Sequence, residues 1–254
     1  MRIALFRPLG LASLLCAVPA LRALDAAYPH AEITLIGLAQ LREVVQRLHR
    51  YVERFAAFPG FPGIPGPECD LDGIPGFFER MKAARFDLAI QMHGAGEIAN
   101  PLMVLMGAAR NAGFYRPGRY CPDAQRYLEW REDEDDVQRW VRLVERLGAP
   151  PKGTFLEFPL EPEDWVEQRA LHLENYICFD QRYAKAGDAL AAEGWNVVPI
   201  SLAERRGLGG TAAVIAKARL VVSSDPATAL LAAAVRTPTA RTLNEAREVL
   251  ARAA

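Results

Sequence analysis

The sequence lacks the features that several classes of protein require. Its four cysteines are scattered and form no CxxC pair, and 30 basic residues stand against 31 acidic ones, a net charge of −1. No apolar run reaches the roughly 18 residues that span a bilayer. We therefore expect reduced thiols in a cytoplasmic protein, with no metal, no cofactor, no nucleic-acid partner and no transmembrane segment. Peripheral membrane contact and a protein partner stay open.

The composition is that of a folded protein. The chain has 254 residues, of which 51% are hydrophobic and 24% charged, and it has no long repeat or low-complexity tail. This length suffices for two modest domains or one large one.

The first 28 residues allow two interpretations. Arg2 followed by LGLASLLCAVPALRA has the layout of a signal peptide. However, Arg7 and Pro8 interrupt the apolar run, and the leucines that follow recur with a helical period. This favours an amphipathic core helix over residues 13–28, preceded by a strand over residues 2–6.

Strand and helix patterns alternate along the first 150 residues, which predicts a parallel sheet covered on both faces. Further strands are expected at residues 32–37 and before His93, and helices near 38–48, 77–85, 100–109 and 132–147. The Pro-Gly-rich stretch 59–76 is expected to be a long loop. The acidic run 132–136 is interpreted as the solvated first turn of its helix.

A second alternating set follows the Pro- and Gly-containing segment APPKG. Strands are expected around Tyr176, at NVVPIS and at RLVVSS, with helices at 183–192, 211–217 and 227–234. We therefore predict two domains, residues 1–150 and 151–254, with APPKG as the linker.

The opening segment resembles glycosyltransferase family 9, the bacterial heptosyltransferases. In that family the first strand leads into a Gly-Asp pair six residues before Pro-Ala-Leu, and counting back from Pro19 places Ala12 and Ser13 on the pair. Residues 86–118 and 219–239 resemble two further family segments. The resemblance implies an α/β fold of the GT-B type, with two Rossmann-like doubly wound parallel sheets facing a cleft, the carboxy-terminal one reduced. It also implies inverting, metal-independent transfer of a heptose-type sugar from a nucleotide diphosphate such as an ADP-sugar to a glycan acceptor, as in lipopolysaccharide biosynthesis.

The chain departs from the family at the residues that carry the reaction. Ser13 stands where the family has its general base, and a hydroxyl cannot accept a proton near neutral pH. Beyond Asp225, Ala227 and Leu230 replace a family Gly and His. The His-Pro-Gly loop that meets the donor phosphates is missing after Cys178. Arg205 and Arg206 are the nearest cations that could replace it.

The candidate catalytic residues are Ser13, His93 and Glu97, and the candidate substrate-binding residues are Gln91, Asn100, Asp225 and Thr228. His93 follows a predicted strand, where α/β folds usually bind ligands, and Glu97 and Asn100 come shortly after it. The alternative for His93 and Glu97 is helix capping, and for Ser13 a place at a helix amino terminus. If the protein is a transferase, His93 or Glu97 must act as the base, and the resemblance implies that Asp225 orients the donor sugar.

Two functions remain open. The protein is either a working sugar transferase of the family 9 type or a catalytically inactive homologue that keeps the fold as a binding or partner module.

Overall fold

The computed structural model describes residues 1–66, 69–201 and 207–252. The chain divides into two compact units, Met1–Thr154 and Phe155–Ala254. Each unit contains one parallel sheet flanked by helices, with six strands in the first and four in the second. The predicted fold class, two parallel α/β sheets of which the second is smaller, is confirmed.

The first unit has the strand order β3-β2-β1-β4-β5-β6, and every neighbouring pair is parallel. Its strands are β1 (Arg2–Phe6), β2 (Glu32–Gly37), β3 (Arg54–Ala57), β4 (Leu88–Gln91), β5 (Asn111–Tyr115) and β6 (Tyr127–Glu129). Its helices are α1 (Leu11–Ala27), α2 (Arg42–Arg47), α3 (Gly73–Ala84), α4 (Ala99–Leu105) and α5 (Asp136–Arg146). β1 lies at the centre, and Ile3 to Phe6 are fully buried, as expected for a strand covered on both faces.

α1 begins earlier than the sequence pattern predicted. Gly10, in an extended conformation, is the residue before the helix, so Ser13 lies inside the first turn. Leu11 and Ala12 already belong to the helix, and no side chain caps its amino terminus. At the other end, the Tyr28 hydroxyl donates to the Leu147 carbonyl oxygen at 2.5 Å and joins α1 to the end of α5.

The predicted loop 59–76 is shorter than expected, because α3 begins at Gly73. Pro75 lies in its first turn, where a missing N–H interrupts no helical hydrogen bond. Asp70 Oδ1 accepts a hydrogen bond from the Gly73 N–H at 3.0 Å. Pro75 is therefore compatible with the first turn of this helix. The helix predicted at 38–48 is a 3-10 turn, Ala39–Leu41, followed by the short α2.

The acidic run before α5 is not simply a solvated turn. Asp135 caps the helix, accepting hydrogen bonds from Val137 N at 2.9 Å and Gln138 N at 3.2 Å. The Glu134 side chain is only 12% exposed and accepts two hydrogen bonds of 2.6 Å from Arg142. These bonds lower the pKa of Glu134. The run is therefore an ion-paired cap, which the acidic composition of residues 132–136 alone did not predict.

The second unit has the strand order β10-β9-β7-β8, again parallel throughout. Its strands are β7 (Tyr176–Phe179), β8 (Asn196–Pro199), β9 (Leu220–Val222) and β10 (Thr239–Ala240). Its helices are α6 (Pro162–Arg169), α7 (Ala184–Ala192), α8 (Gly207–Lys217), α9 (Pro226–Ala234) and α10 (Leu243–Arg252). One core cluster joins the sheet to α7 and α10 through Ile177, Leu190, Val222 and Leu250.

Candidate functional site

The strand order of the first unit reverses between β1 and β4. β2 and β3 follow on one side of β1, and β4 to β6 on the other. In open parallel sheets, ligands bind outside the carboxyl ends of the strands at such a reversal. Arg7 directly follows β1 and His93 lies two residues beyond β4, and these residues define the first candidate site.

Arg7 is the main charge at this reversal, and its side chain is 1% exposed. Nη2 and Nε donate to the Ser13 carbonyl oxygen at 2.9 and 3.1 Å, and Nη1 donates to the Met92 carbonyl oxygen. The guanidinium stacks on Trp140 at 4.2 Å, and Nη2 lies 3.9 Å from Asp136 Oδ2. Burial lowers the pKa of Arg7 to about 10, so the group stays charged at neutral pH.

Ser13 therefore contributes its backbone to the site. Its carbonyl oxygen is the shared acceptor of two guanidinium hydrogen bonds, and the same guanidinium reaches Met92 at the end of β4. The structure thus brings Ser13 and the segment before His93 to opposite sides of Arg7. A hydroxyl at position 13 provides no group that could accept a proton.

His93 lies in the loop between β4 and α4 and lines a cavity of about 200 Å³. The other lining residues are Gly63, Ile64, Pro65 and residues 94–99. Its Nε2 atom is buried and has no hydrogen-bond partner. Burial, together with the positive charge of Arg7, lowers the pKa of His93 below 6.5. At neutral pH the imidazole is therefore uncharged and can accept a proton.

Two glycines shape this loop. Gly94 and Gly96 have φ angles of +59° and +87°, a backbone conformation that residues other than glycine rarely adopt. A Cβ on Gly96 would collide with the Asn100 amide, whereas one on Gly94 would meet no atom within 4 Å. The close approach of the backbone at Gly96 therefore depends on the absence of a side chain there.

Gln91 and Asn100 are the buried polar side chains before and after this loop. The fully buried Gln91 donates from Nε2 to the His93 and Gly94 carbonyl oxygens at 2.7 and 3.2 Å. Asn100 donates from Nδ2 to the Phe114 carbonyl oxygen at 3.0 Å. The amide oxygens Gln91 Oε1 and Asn100 Oδ1 are buried without a partner. Both side chains thus have one end occupied by the protein and one acceptor that is unused.

Glu97, the third catalytic candidate, also lines this cavity. Its carboxylate pairs with Arg116 Nε at 2.8 Å, and Arg116 Nη2 also pairs with Glu132 at 2.9 Å. All three side chains are about half exposed or more. The Glu97 carboxylate thus already has a partner in Arg116, whereas Nε2 of His93 has none.

The strand order of the second unit reverses between β7 and β9. Asp180 follows β7, and Ser223 and Asp225 follow β9, so these side chains meet at the carboxyl edge. Ser223 Oγ lies 3.3 Å from Asp180 Oδ2 and accepts from Asp225 N at 3.0 Å. This cluster is the second candidate site.

Asp225 and Thr228 are bonded to one another. Asp225 caps α9, because its Oδ2 accepts from Thr228 N at 2.8 Å and from Thr228 Oγ1 at 3.0 Å. The backbone hydrogen bond lowers the pKa of Asp225. Its second oxygen, Oδ1, lies 3.5 Å from Arg182 Nη2. Oδ1 can therefore accept a hydrogen bond from a ligand only if Arg182 moves away.

Arg182 is a site residue that the sequence analysis did not identify. It donates from Nη2 to Asp180 Oδ2 at 3.0 Å and reaches Asp225 as well, and its side chain is 64% exposed. Asp180 raises the pKa of Arg182 through this bond. The signal in the sequence was its place two residues after Asp180, directly beyond a strand. The candidates Arg205 and Arg206 lie outside the described residues.

No helix within residues 1–66, 69–201 and 207–252 is long and apolar enough to cross a membrane. By sequence, no known protein family matches the chain, and no curated protein does.

Solved structures do match. ADP-heptose LPS heptosyltransferase II of E. coli superposes with a TM-score of 0.72 at 16% identity, covering 94% of this chain and 83% of that one. A family 9 glycosyl transferase of Veillonella parvula also gives 0.72, at 17% identity and 94% and 79% coverage. E. coli heptosyltransferase WaaC with ADP gives 0.63, at 18% identity and 94% and 86% coverage. The predicted resemblance is therefore confirmed for the fold.

Proposed function

We propose that the protein is a glycosyltransferase of the family 9 type in which His93 replaces the missing carboxylate as proton acceptor. The donor is a nucleotide diphosphate sugar, with an ADP-heptose as the first candidate, and the acceptor is the hydroxyl of a lipopolysaccharide-type glycan in the cytoplasm. The observation that carries this proposal is that His93, whose buried Nε2 has no hydrogen-bond partner, lines a cavity at the reversal of the first sheet. The names of the structural relatives support the choice of donor.

The reaction needs one proton acceptor. The acceptor hydroxyl oxygen attacks the anomeric carbon while its proton passes to His93 Nε2, and a new glycosidic bond forms. The bond from the anomeric carbon to the diphosphate oxygen breaks, and its electron pair leaves with the nucleoside diphosphate. Because the nucleophile enters opposite the leaving group, the anomeric configuration inverts. A histidine with a lowered pKa is suited to this role at neutral pH.

His93 is preferred as the base because the other candidates already have partners in the protein. Ser13 offers a carbonyl that Arg7 already occupies, and Glu97 is paired with Arg116. Gln91 bonds the loop and Asn100 bonds the Phe114 carbonyl oxygen, and each has one amide oxygen without a partner that could accept from a sugar hydroxyl. We therefore assign them to positioning and substrate contact.

The donor side of the proposal rests on Arg182. Its exposed guanidinium lies at the reversal of the second sheet beside two carboxylates, where it can exchange Asp225 for a diphosphate. Asp225 Oδ1, once released, would accept from a sugar hydroxyl, and Thr228 holds that carboxylate in place through Oδ2. No metal is needed in this arrangement because the guanidinium supplies the positive charge.

The alternative function is a catalytically inactive binding or partner module. One observation favours it: the charged groups of the second site are already paired with one another, since Arg182 pairs with both Asp180 and Asp225. Such mutual pairing stabilises the fold without a ligand. In this case the surface of the protein, and not a nucleotide, would carry the function.

Calorimetric titration separates the two functions. ADP, UDP and an ADP-sugar are titrated into the purified chain, with AMP as a control that lacks the diphosphate. The transferase proposal predicts heat of binding for a diphosphate and much less for AMP. Absence of binding up to millimolar concentration would contradict the transferase proposal and favour the inactive module.

A further inference from the structure

A second cavity lies at the opposite edge of the first sheet, where the strands begin. It has a volume of about 300 Å³ and is lined by Arg110, Arg126 and Arg146 together with Tyr28 and Leu147. Arg110 directly precedes β5, Arg126 directly precedes β6, and Arg146 ends α5. Three arginines therefore line one cavity that the proposed reaction does not use.

Two of these arginines are held in place while most of their donors stay available. Arg110 Nε donates to the Asp87 carbonyl oxygen at 3.4 Å, and Arg146 Nε donates to the Gln125 carbonyl oxygen at 3.1 Å. Within the residues that the structure describes, neither arginine uses its Nη atoms in a hydrogen bond or ion pair. Each guanidinium is thus anchored through Nε and keeps the N–H groups of both Nη atoms available as donors.

The local charge is positive. Arg126 pairs with Asp123 at 2.5 Å, which neutralises one of the three guanidinium groups. Arg110 and Arg146 have no acidic partner among the described residues. The carboxyl end of α5 adds about half a negative charge, which two unpaired guanidinium groups exceed.

Tyr28 forms a hydrogen bond with a carbonyl oxygen that would otherwise repel an anion. Leu147, the residue after α5, also lines the cavity, and its carbonyl oxygen is an acceptor at this helix end. The Tyr28 hydroxyl donates to this oxygen at 2.5 Å, so the carbonyl is satisfied by the protein. The lining then offers mainly positive charge and N–H donors to a ligand.

We infer that this cavity binds a phosphate monoester. A dianion matches the two unpaired charges, and guanidinium groups bind phosphate oxygens through two parallel hydrogen bonds. The volume, at the lower end of small-molecule pockets, fits a phosphorylated small molecule or a phosphorylated lipid headgroup. The inference concerns a different edge of the sheet from His93 and does not depend on the proposed transferase activity.

The test measures binding of inorganic phosphate and of glycerol 3-phosphate to the full chain by calorimetry. The double variant Arg110→Gln/Arg146→Gln should bind glycerol 3-phosphate at least about tenfold more weakly, equivalent to about 1.4 kcal/mol. Arg119→Gln, at another exposed arginine, is the matched control and should bind as the wild type does. Tyr28→Phe leaves the charge unchanged and should weaken binding severalfold, because the Leu147 carbonyl loses its donor.

Thermal unfolding verifies that the variants are folded. ADP binding, which the second unit is proposed to provide, should be unchanged in all of them, so loss of the phosphate site and failure of the transferase proposal are distinguishable. Sedimentation with phosphatidylcholine vesicles with or without phosphatidic acid identifies the source: binding only to the acidic vesicles assigns a lipid headgroup, and binding of glycerol 3-phosphate alone assigns a soluble ligand. Equal affinity of wild type and double variant, or no binding of any of these probes, would overturn the inference.

Discussion

Arg7 Nη2 donates a hydrogen bond of 2.9 Å to the carbonyl oxygen of Ser13, and through Nη1 the same guanidinium reaches Met92. The buried charge therefore connects the end of β1, the first turn of α1 and the end of β4. Because Trp140 and Asp136 hold the guanidinium from α5, four elements depend on one side chain.

Arg7→Met is expected to destabilise the protein by about 2–4 kcal/mol, because two buried carbonyl oxygens lose their donors and Asp136 loses a partner. Urea unfolding followed by circular dichroism measures the loss. Arg119→Gln, on an exposed turn, should change the free energy of unfolding by less than about 0.5 kcal/mol. Equal midpoints for Arg7→Met and wild type would show that the guanidinium is not a structural centre.

Gly96→Ala and Gly94→Ala form a matched pair. Both glycines have a positive φ, so each substitution costs about 1–2 kcal/mol of backbone strain. Only the Gly96 variant also places a Cβ against the Asn100 amide. We expect Gly96→Ala to lower the free energy of unfolding clearly more than Gly94→Ala does, as measured by urea titration. The reverse order would mean that Asn100 does not support the loop.

The lowered pKa of His93 predicts a pH dependence of stability. The folded state holds the imidazole neutral to a lower pH than the unfolded state, whose pKa is near 6.5. The unfolded state therefore binds more protons below pH 7, so this contribution is complete above pH 6.5 and is lost as the pH falls through the folded pKa. The urea midpoint should fall from pH 7.5 to pH 5 by more in the wild type than in His93→Gln. Parallel changes would refute a buried, neutral His93.

Arg182→Gln tests the second site. If this guanidinium binds the donor diphosphate, the variant should bind ADP at least about tenfold more weakly, since a charge-assisted pair contributes about 1.5–3 kcal/mol. Arg252→Gln, an exposed arginine at the end of α10, should leave ADP affinity unchanged. Calorimetry compares the two variants with wild type. Equal ADP affinities in all three proteins would remove Arg182 from the proposed site.

The sequence predicted the buried parallel strands well, because a run such as Ile3 to Phe6 is apolar on both faces. It did not predict the short strands β3, β6 and β10, whose four, three and two residues are too few for a clear periodic pattern. It also ended the Pro-Gly loop too late, since Pro75 is compatible with a first helical turn.

For the candidate sites, the sequence identified His93 and Asp225 from their places beyond predicted strands. It could not distinguish His93 from Glu97, because only the fold pairs Glu97 with Arg116 and leaves Nε2 of His93 without a partner. Arg182 was missed because its partners, Asp180 and Asp225, are 45 positions apart in the sequence and meet only where the second sheet reverses.

The most direct test of the account is the release of nucleoside diphosphate from an ADP-heptose by wild type and by His93→Gln, with Glu97→Gln as the control. Removing a general base typically costs about a hundredfold or more in rate. We predict that loss for His93→Gln at unchanged ADP affinity, and little change for Glu97→Gln. No turnover by the wild type, or equal rates for wild type and His93→Gln, would contradict the account.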